Sequence, residues 1–159
     1  MPGMLIPGDL ERIALAQGYA IVTPEWLQEN FQYSEGAKVR GPAGDFHIPS
    51  IVPRLTEDGC VFLKNDRCSI HEVSPFGCSR MDTHLSREEG DRRMVWALRV
   101  VARDILDDGL FQQAREVLVG ANLAAPPLML RRANFARLFD ALPPADKQPL
   151  VIDSELSTT

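Results

Sequence analysis

Apolar residues recur at helical spacing in five stretches of this chain, and polar residues at their ends supply start and stop signals. In the first, Leu10, Ile13 and Ala14 are interleaved with the acids Asp9 and Glu11 and precede Gly18, which predicts a short helix over residues 8–17. Thr23 is a good N-cap for a second, with Pro24 at its first helical position, Trp26, Leu27 and Phe31 as its apolar face, and an end near Tyr33. Ser86 and Glu89 form a capping box ahead of Met94, Val95, Leu98, Val101, Ile105 and Leu106. Asp107-Asp108-Gly109 interrupts that period, and further helices are predicted from Leu110 to Val119 and from Leu128 to Leu142. Between Ser34 and Gly59 the helical period disappears, and Gly, Pro and isolated β-branched residues predict loops and short extended pieces. Val61-Phe62-Leu63 and Ser69-Ile70 then flank Lys64-Asn65-Asp66-Arg67, the pattern of a small hairpin. The expected fold class is mainly α, with a small loop-rich β-hairpin cysteine segment packed against the helix after Ser86. We expect one domain over residues 1–145, with a metal-site segment at about 58–85, and a mobile tail over 146–159.

Composition narrows the function. With 159 residues, 45% of them apolar, the chain has enough material for one modest core. Its net charge of -5 offers no overall attraction for a phosphate backbone, so nucleic acid is not an expected partner. Between Arg87 and Val119, seven acids face six arginines, the balance of a solvated surface rather than of a binding stripe. Apolar runs such as Met94–Leu98 fall far short of the roughly 20 residues that a membrane helix needs, so no membrane partner is expected. No secretion signal is visible at the start of the sequence, and the cytoplasm is the expected compartment. There, three cysteines are expected as thiols or metal ligands rather than disulfide partners. Neither a G-x-x-x-x-G-K-S/T nor a G-x-G-x-x-G loop is present, so nucleotide chemistry has no support.

The cysteines, Cys60, Cys68 and Cys78, all fall within nineteen positions, spaced C-x7-C-x9-C. Thiolates are soft, strong ligands for zinc and iron, and a loop-rich segment with little core gains stability from such a crosslink. Three thiolates leave zinc one ligand short, which makes His71 and His84 the nearby candidates, with His47 behind them. In a hairpin with a two- or four-residue loop centred on Asn65-Asp66, Cys60 and Cys68 would point to opposite faces. A shared metal therefore leads us to expect an odd-length loop or a bulge. Cys78 and His84 also lie near each other in sequence, but proximity alone does not make a nucleophile and base.

The words between the cysteines resemble a family. Gly59, Cys60, Phe62, Leu63, Cys68, Ser69, Ile70, Pro75 and Cys78 match in register the G-x-C-x-F-L and C-S-I-Y-x-x-R-P-x-x-C-R pattern of the YkgJ-like cysteine-cluster proteins, a zinc- or iron-chelating type. Ile6-Pro7-Gly8-Asp9-Leu10-Glu11-Arg12-Ile13 is similar to the helix that follows that family's first cysteine group, so the likeness spans residues 5–85. It implies a metal-binding module, for zinc or an iron-sulfur cluster, with Cys60, Cys68 and Cys78 as ligands and no reaction of its own. The chain departs from the pattern at His71, where Tyr is usual, at Ser74 in place of Arg, and at Ser79, which displaces Arg80 by one position. The family's upstream C-x2-C-x3-C-C group has no counterpart here, so we expect either a natural chain that continues upstream of Met1 or a variant that binds metal differently or not at all. Two alternatives stand beside this reading: a metal-free helical interaction domain with a degenerate cysteine segment, and part of an enzyme resembling the flagellin lysine methyltransferases.

Overall fold

A computed structural model describes residues 3–41, 44–81 and 84–126. The expected helix over Leu128–Leu142 and the expected tail over 146–159 lie outside the described residues. Within them, α1 (Asp9–Ala16) and α2 (Pro24–Asn30) come first, followed by the antiparallel strands β1 (Phe31–Gly41) and β2 (Gly44–Pro53). The cysteine segment holds two miniature pairs, β3 (Leu55–Thr56) with β4 (Gly59–Cys60), and β5 (Leu63–Lys64) with β6 (Arg67–Cys68). A single 3-10 turn (His71–Val73), the short helix α3 (Phe76–Ser79) and the long helices α4 (Arg87–Leu106) and α5 (Leu110–Gly120) complete the fold.

The fold class is therefore mixed α/β, which corrects the mainly α expectation. The correction lies in residues 31–53, expected as the end of a helix up to Tyr33 and as loops and short extended pieces from Ser34 on, which build the longest strand pair among the described residues. The glycines and prolines that suggested loops are used as punctuation inside the ladder. Gly36 sits at a register shift between Ser34 and Ala37 with φ of 74°, and a Cβ there would fall 1.8 Å from the Ile48 carbonyl oxygen, so only glycine fits this bulge. Pro49 and Pro53 fit β2 because it pairs with a strand on one side alone. The second helix also ends earlier than expected, at Asn30, because Phe31 opens β1.

The helix starts follow the local signals. Thr23 accepts a hydrogen bond from the Trp26 N–H, and Ser86 accepts one from the Glu89 N–H. The Glu89 carboxylate does not reach back as a capping box requires; it pairs with Arg93 one turn on. At α5 the N-cap is Gly109, which has no side chain to offer, and the Asp104 carboxylate on the preceding helix accepts from the Gln112 N–H instead.

The core forms where these elements meet. Leu10 and Ile13 of α1, Ile48 and Ile51 of β2, Leu98 and Val101 of α4 and Phe111 and Leu118 of α5 are all buried. A line of aromatic rings runs through it: Trp26 meets Phe31 edge-on at 5.1 Å between centroids, and Phe31 meets Phe62 of the cysteine segment at 5.6 Å. The segment is thus fastened to the core by its own apolar side chains, Phe62, Ile70 and Phe76, each buried.

Candidate functional site

Residues 54–80 hold only elements of two to four residues, and their placement depends on distant partners. The β5–β6 hairpin turns on two residues, Asn65 and Asp66, with φ of 48° and 60°. Both lie in the left-handed region, as a tight hairpin of matching twist demands. The loop is even, so the expected odd loop or bulge is absent from this hairpin. Cys60 instead belongs to a different pair, with Leu55 opposite it in β3, and the chain turns at Val61–Phe62 before β5 begins. Across that break Cys60 stays within electrostatic reach of both Cys78 and Cys68.

Cys78 is positioned from the other end of the sequence. The stretch from Gly3 to Ile6 runs beside α3: Gly77 N–H donates to the Met4 carbonyl at 2.9 Å, and Gly3 N–H donates to Cys78 Sγ at 3.2 Å. The two backbones meet at glycines on both sides. A Cβ on Gly3 would come within 2.2 Å of the Gly77 carbonyl carbon, and one on Gly77 within 2.4 Å of the Met4 nitrogen, so both positions exclude a side chain.

Asp9 ties these pieces together. Its Oδ2 accepts from the Ile6 N–H and from the Phe76 N–H, each at 3.0 Å, and its Oδ1 accepts from Arg12 Nη2. The residue is 2% exposed. Burial pushes its carboxyl above the ordinary range, while the two N–H groups and Arg12 pull it back down. The sequence reading saw Asp9 only as a first-turn acid favourable to the helix dipole. The Gly8-Asp9 pair held a further signal, because Gly8 takes φ of 94° and has no capping side chain, which lets the next carboxylate turn back over the chain.

The three thiols differ in environment. Cys60 is half-buried, whereas Cys68 and Cys78 are exposed. Burial raises the Cys60 thiol above its usual range, the Phe62 N–H lowers it, and negative charge on Cys78 or Cys68 would raise it further. Among the described residues no group of three or more His, Cys, Asp or Glu stands close enough to hold a metal ion, so the three thiols do not form a coordination shell as they stand. His71 begins the 3-10 turn and lines a cleft to which no cysteine contributes, together with Arg12 and Trp96. His84 is exposed beside α4, and His47 is exposed on β2 opposite Lys38. The structure brings none of these imidazoles into a group with the thiols.

No helix among the described residues is long and apolar enough to cross a membrane. The chain matches no protein-family model, no curated protein and no solved structure. The likeness to the cysteine-cluster proteins therefore rests on the residues and register of the segment itself.

Proposed function

We propose that this chain is a metal-binding protein that holds zinc or an iron-sulfur cluster through the thiolates of Cys60, Cys68 and Cys78. The observation that carries this reading is where the sulfurs lie. A free cysteine kept only for packing behaves as a small hydrophobe and is among the most buried of residue types. Here the apolar neighbours Phe62, Ile70 and Phe76 are buried while Cys68 and Cys78 are exposed, and both stand within electrostatic reach of Cys60. The rival reading, a metal-free interaction domain whose cysteines merely pack, calls for the opposite arrangement.

The donor set fits a soft ion in chemistry and falls short in number. Thiolate suits zinc and iron, and three of them need a fourth ligand, which no imidazole of the described residues supplies in place. The Gly3 N–H on Cys78 Sγ is of the kind that stabilises charge on a sulfur, and it would persist when that sulfur is a thiolate. When bound, the ion would crosslink a segment that has little core of its own. The same free thiols fit a reducing compartment such as the cytoplasm.

Elemental analysis tests this on reduced protein purified without added metal, alongside Cys68→Ser. Zinc or iron near stoichiometry in the parent, and its loss in the variant, is the expected result. Less than about a tenth of an equivalent in the parent would leave the thiols without a chelating role.

A further inference from the structure

A cleft of about 750 Å³ opens between the start of α1, the 3-10 turn, α3 and α4, and no cysteine lines it. One wall is aromatic. Trp96 of α4 lies tilted on Phe76 at 5.7 Å between centroids, yet it remains 42% exposed, with its open side available to the cleft. Elsewhere in the molecule the second tryptophan, Trp26, is buried and donates its indole N–H to Gln17. An aromatic side chain held at the surface by another ring offers a flat platform for an apolar body.

The polar lining has a surplus of donors. Two of its three carboxylates are already neutralised within the fold, Asp9 by Arg12 and Glu89 by Arg93. Arg12 uses only its Nη2 in those bonds and is half-exposed, so its other N–H groups stay open. Among the described residues nothing pairs with the guanidinium of Arg80, which lines the same cleft. Glu72 is the one remaining acid of the lining, against Arg80, the free edge of Arg12 and the His71 ring. Arginine presents its donors in a planar fork that matches carboxylate and phosphate.

We infer that this cleft binds a small organic anion with a flat apolar body, its carboxylate or phosphate on Arg80 and Arg12 and its body on Trp96. The site is separate from the thiols and does not depend on metal binding. Its position is fixed by the Asp9 bonds to Ile6 and Phe76, which hold two of its walls together.

The test is an NMR titration that follows the indole N–H of Trp96, assigned by its disappearance in Trp96→Phe. The probes are 4-methylbenzoate, phenyl phosphate, inorganic phosphate and 4-methylbenzylammonium. We expect saturable shifts with one or both aromatic anions, much weaker ones with inorganic phosphate, and none with the ammonium compound. Benzoate binding tighter than phenyl phosphate would assign a carboxylate ligand, and the reverse a phosphate. Arg80→Gln, which keeps the backbone bonds of residue 80 to Phe76 and Arg93, should weaken the preferred anion at least tenfold. Three results would each overturn the inference: equal or tighter binding of the ammonium probe, no saturable shift with either anion up to about 10 mM, well above a weak millimolar site, or an Arg80→Gln variant that binds as the parent does.

Discussion

The pair of helices over residues 87–120 and the cysteine segment over residues 54–80 are held in opposite ways. The helices share the core but take their ends and surface pairs from neighbours in sequence: Ser86 caps α4, Asp104 caps α5 from one loop away, and Arg92, Arg93 and Arg103 pair with acids four residues off. The cysteine segment depends on residues far from it in sequence, with Asp9 reaching Phe76, Gly3 meeting Gly77 and Phe31 packing on Phe62. Local rules therefore set where the helices begin and end, and long-range placement decides the course of the cysteine segment. A segment held this way can turn its sulfurs outward, because its stability comes from apolar and backbone anchors elsewhere.

The largest effect should come from the residue that fastens the cysteine segment to the core. Phe31 is fully buried between Trp26 and Phe62, and Phe31→Ala should cost about 3–5 kcal/mol. Chemical denaturation should show both regions unfolding together; a variant that loses the cysteine segment while α4 and α5 stay folded would separate what we describe as one core.

Asp9→Ala comes next, at about 2–4 kcal/mol, since it leaves the N–H groups of Ile6 and Phe76 without their acceptor. Hydrogen exchange should quicken at Phe76 and through α3, with α5 little changed. Asp9→Asn gives the charge dependence. Because burial raises the carboxyl in the folded state, its contribution is greatest when protonated, below the ordinary aspartate range, and is lost as pH rises through the folded value. The stability margin of the parent over Asp9→Asn should therefore shrink on going from pH 3 to pH 7, and a margin that grows would reverse the assignment.

Asp104→Ala is confined to the helical region. It removes a cap from α5 and should cost about 1 kcal/mol by thermal or chemical denaturation, with no change in exchange near Phe76. Cys68→Ser should have the smallest effect on the metal-free protein, within about 0.5 kcal/mol, because that side chain is exposed.

These contrasts follow what the sequence allowed to be read. The caps at Thr23 and Ser86, the breaks after Ala16 and Leu106 and the turn at Asn65-Asp66 are local chemistry, and they stand close to where the pattern put them. The long hairpin was hidden because Gly36, Pro49 and Pro53 are loop signals in isolation and become strand residues only beside a partner. The clustering of the cysteines was legible in sequence, but the pairing of Cys60 with Leu55 rather than within the next hairpin was not, since it joins Cys60 to a strand that precedes the segment's own hairpin. Asp9 and the cleft beside Trp96 needed contacts across more than sixty positions, which no local pattern carries.

The most direct measurement is a cobalt(II) titration of the reduced protein under inert gas, followed by its visible absorption. A thiolate-to-cobalt band that saturates at one equivalent, and that weakens in each of Cys60→Ser, Cys68→Ser and Cys78→Ser, is what the proposed three-thiolate site predicts. A spectrum without that band, or one unaffected by two of the three substitutions, would contradict a shared site.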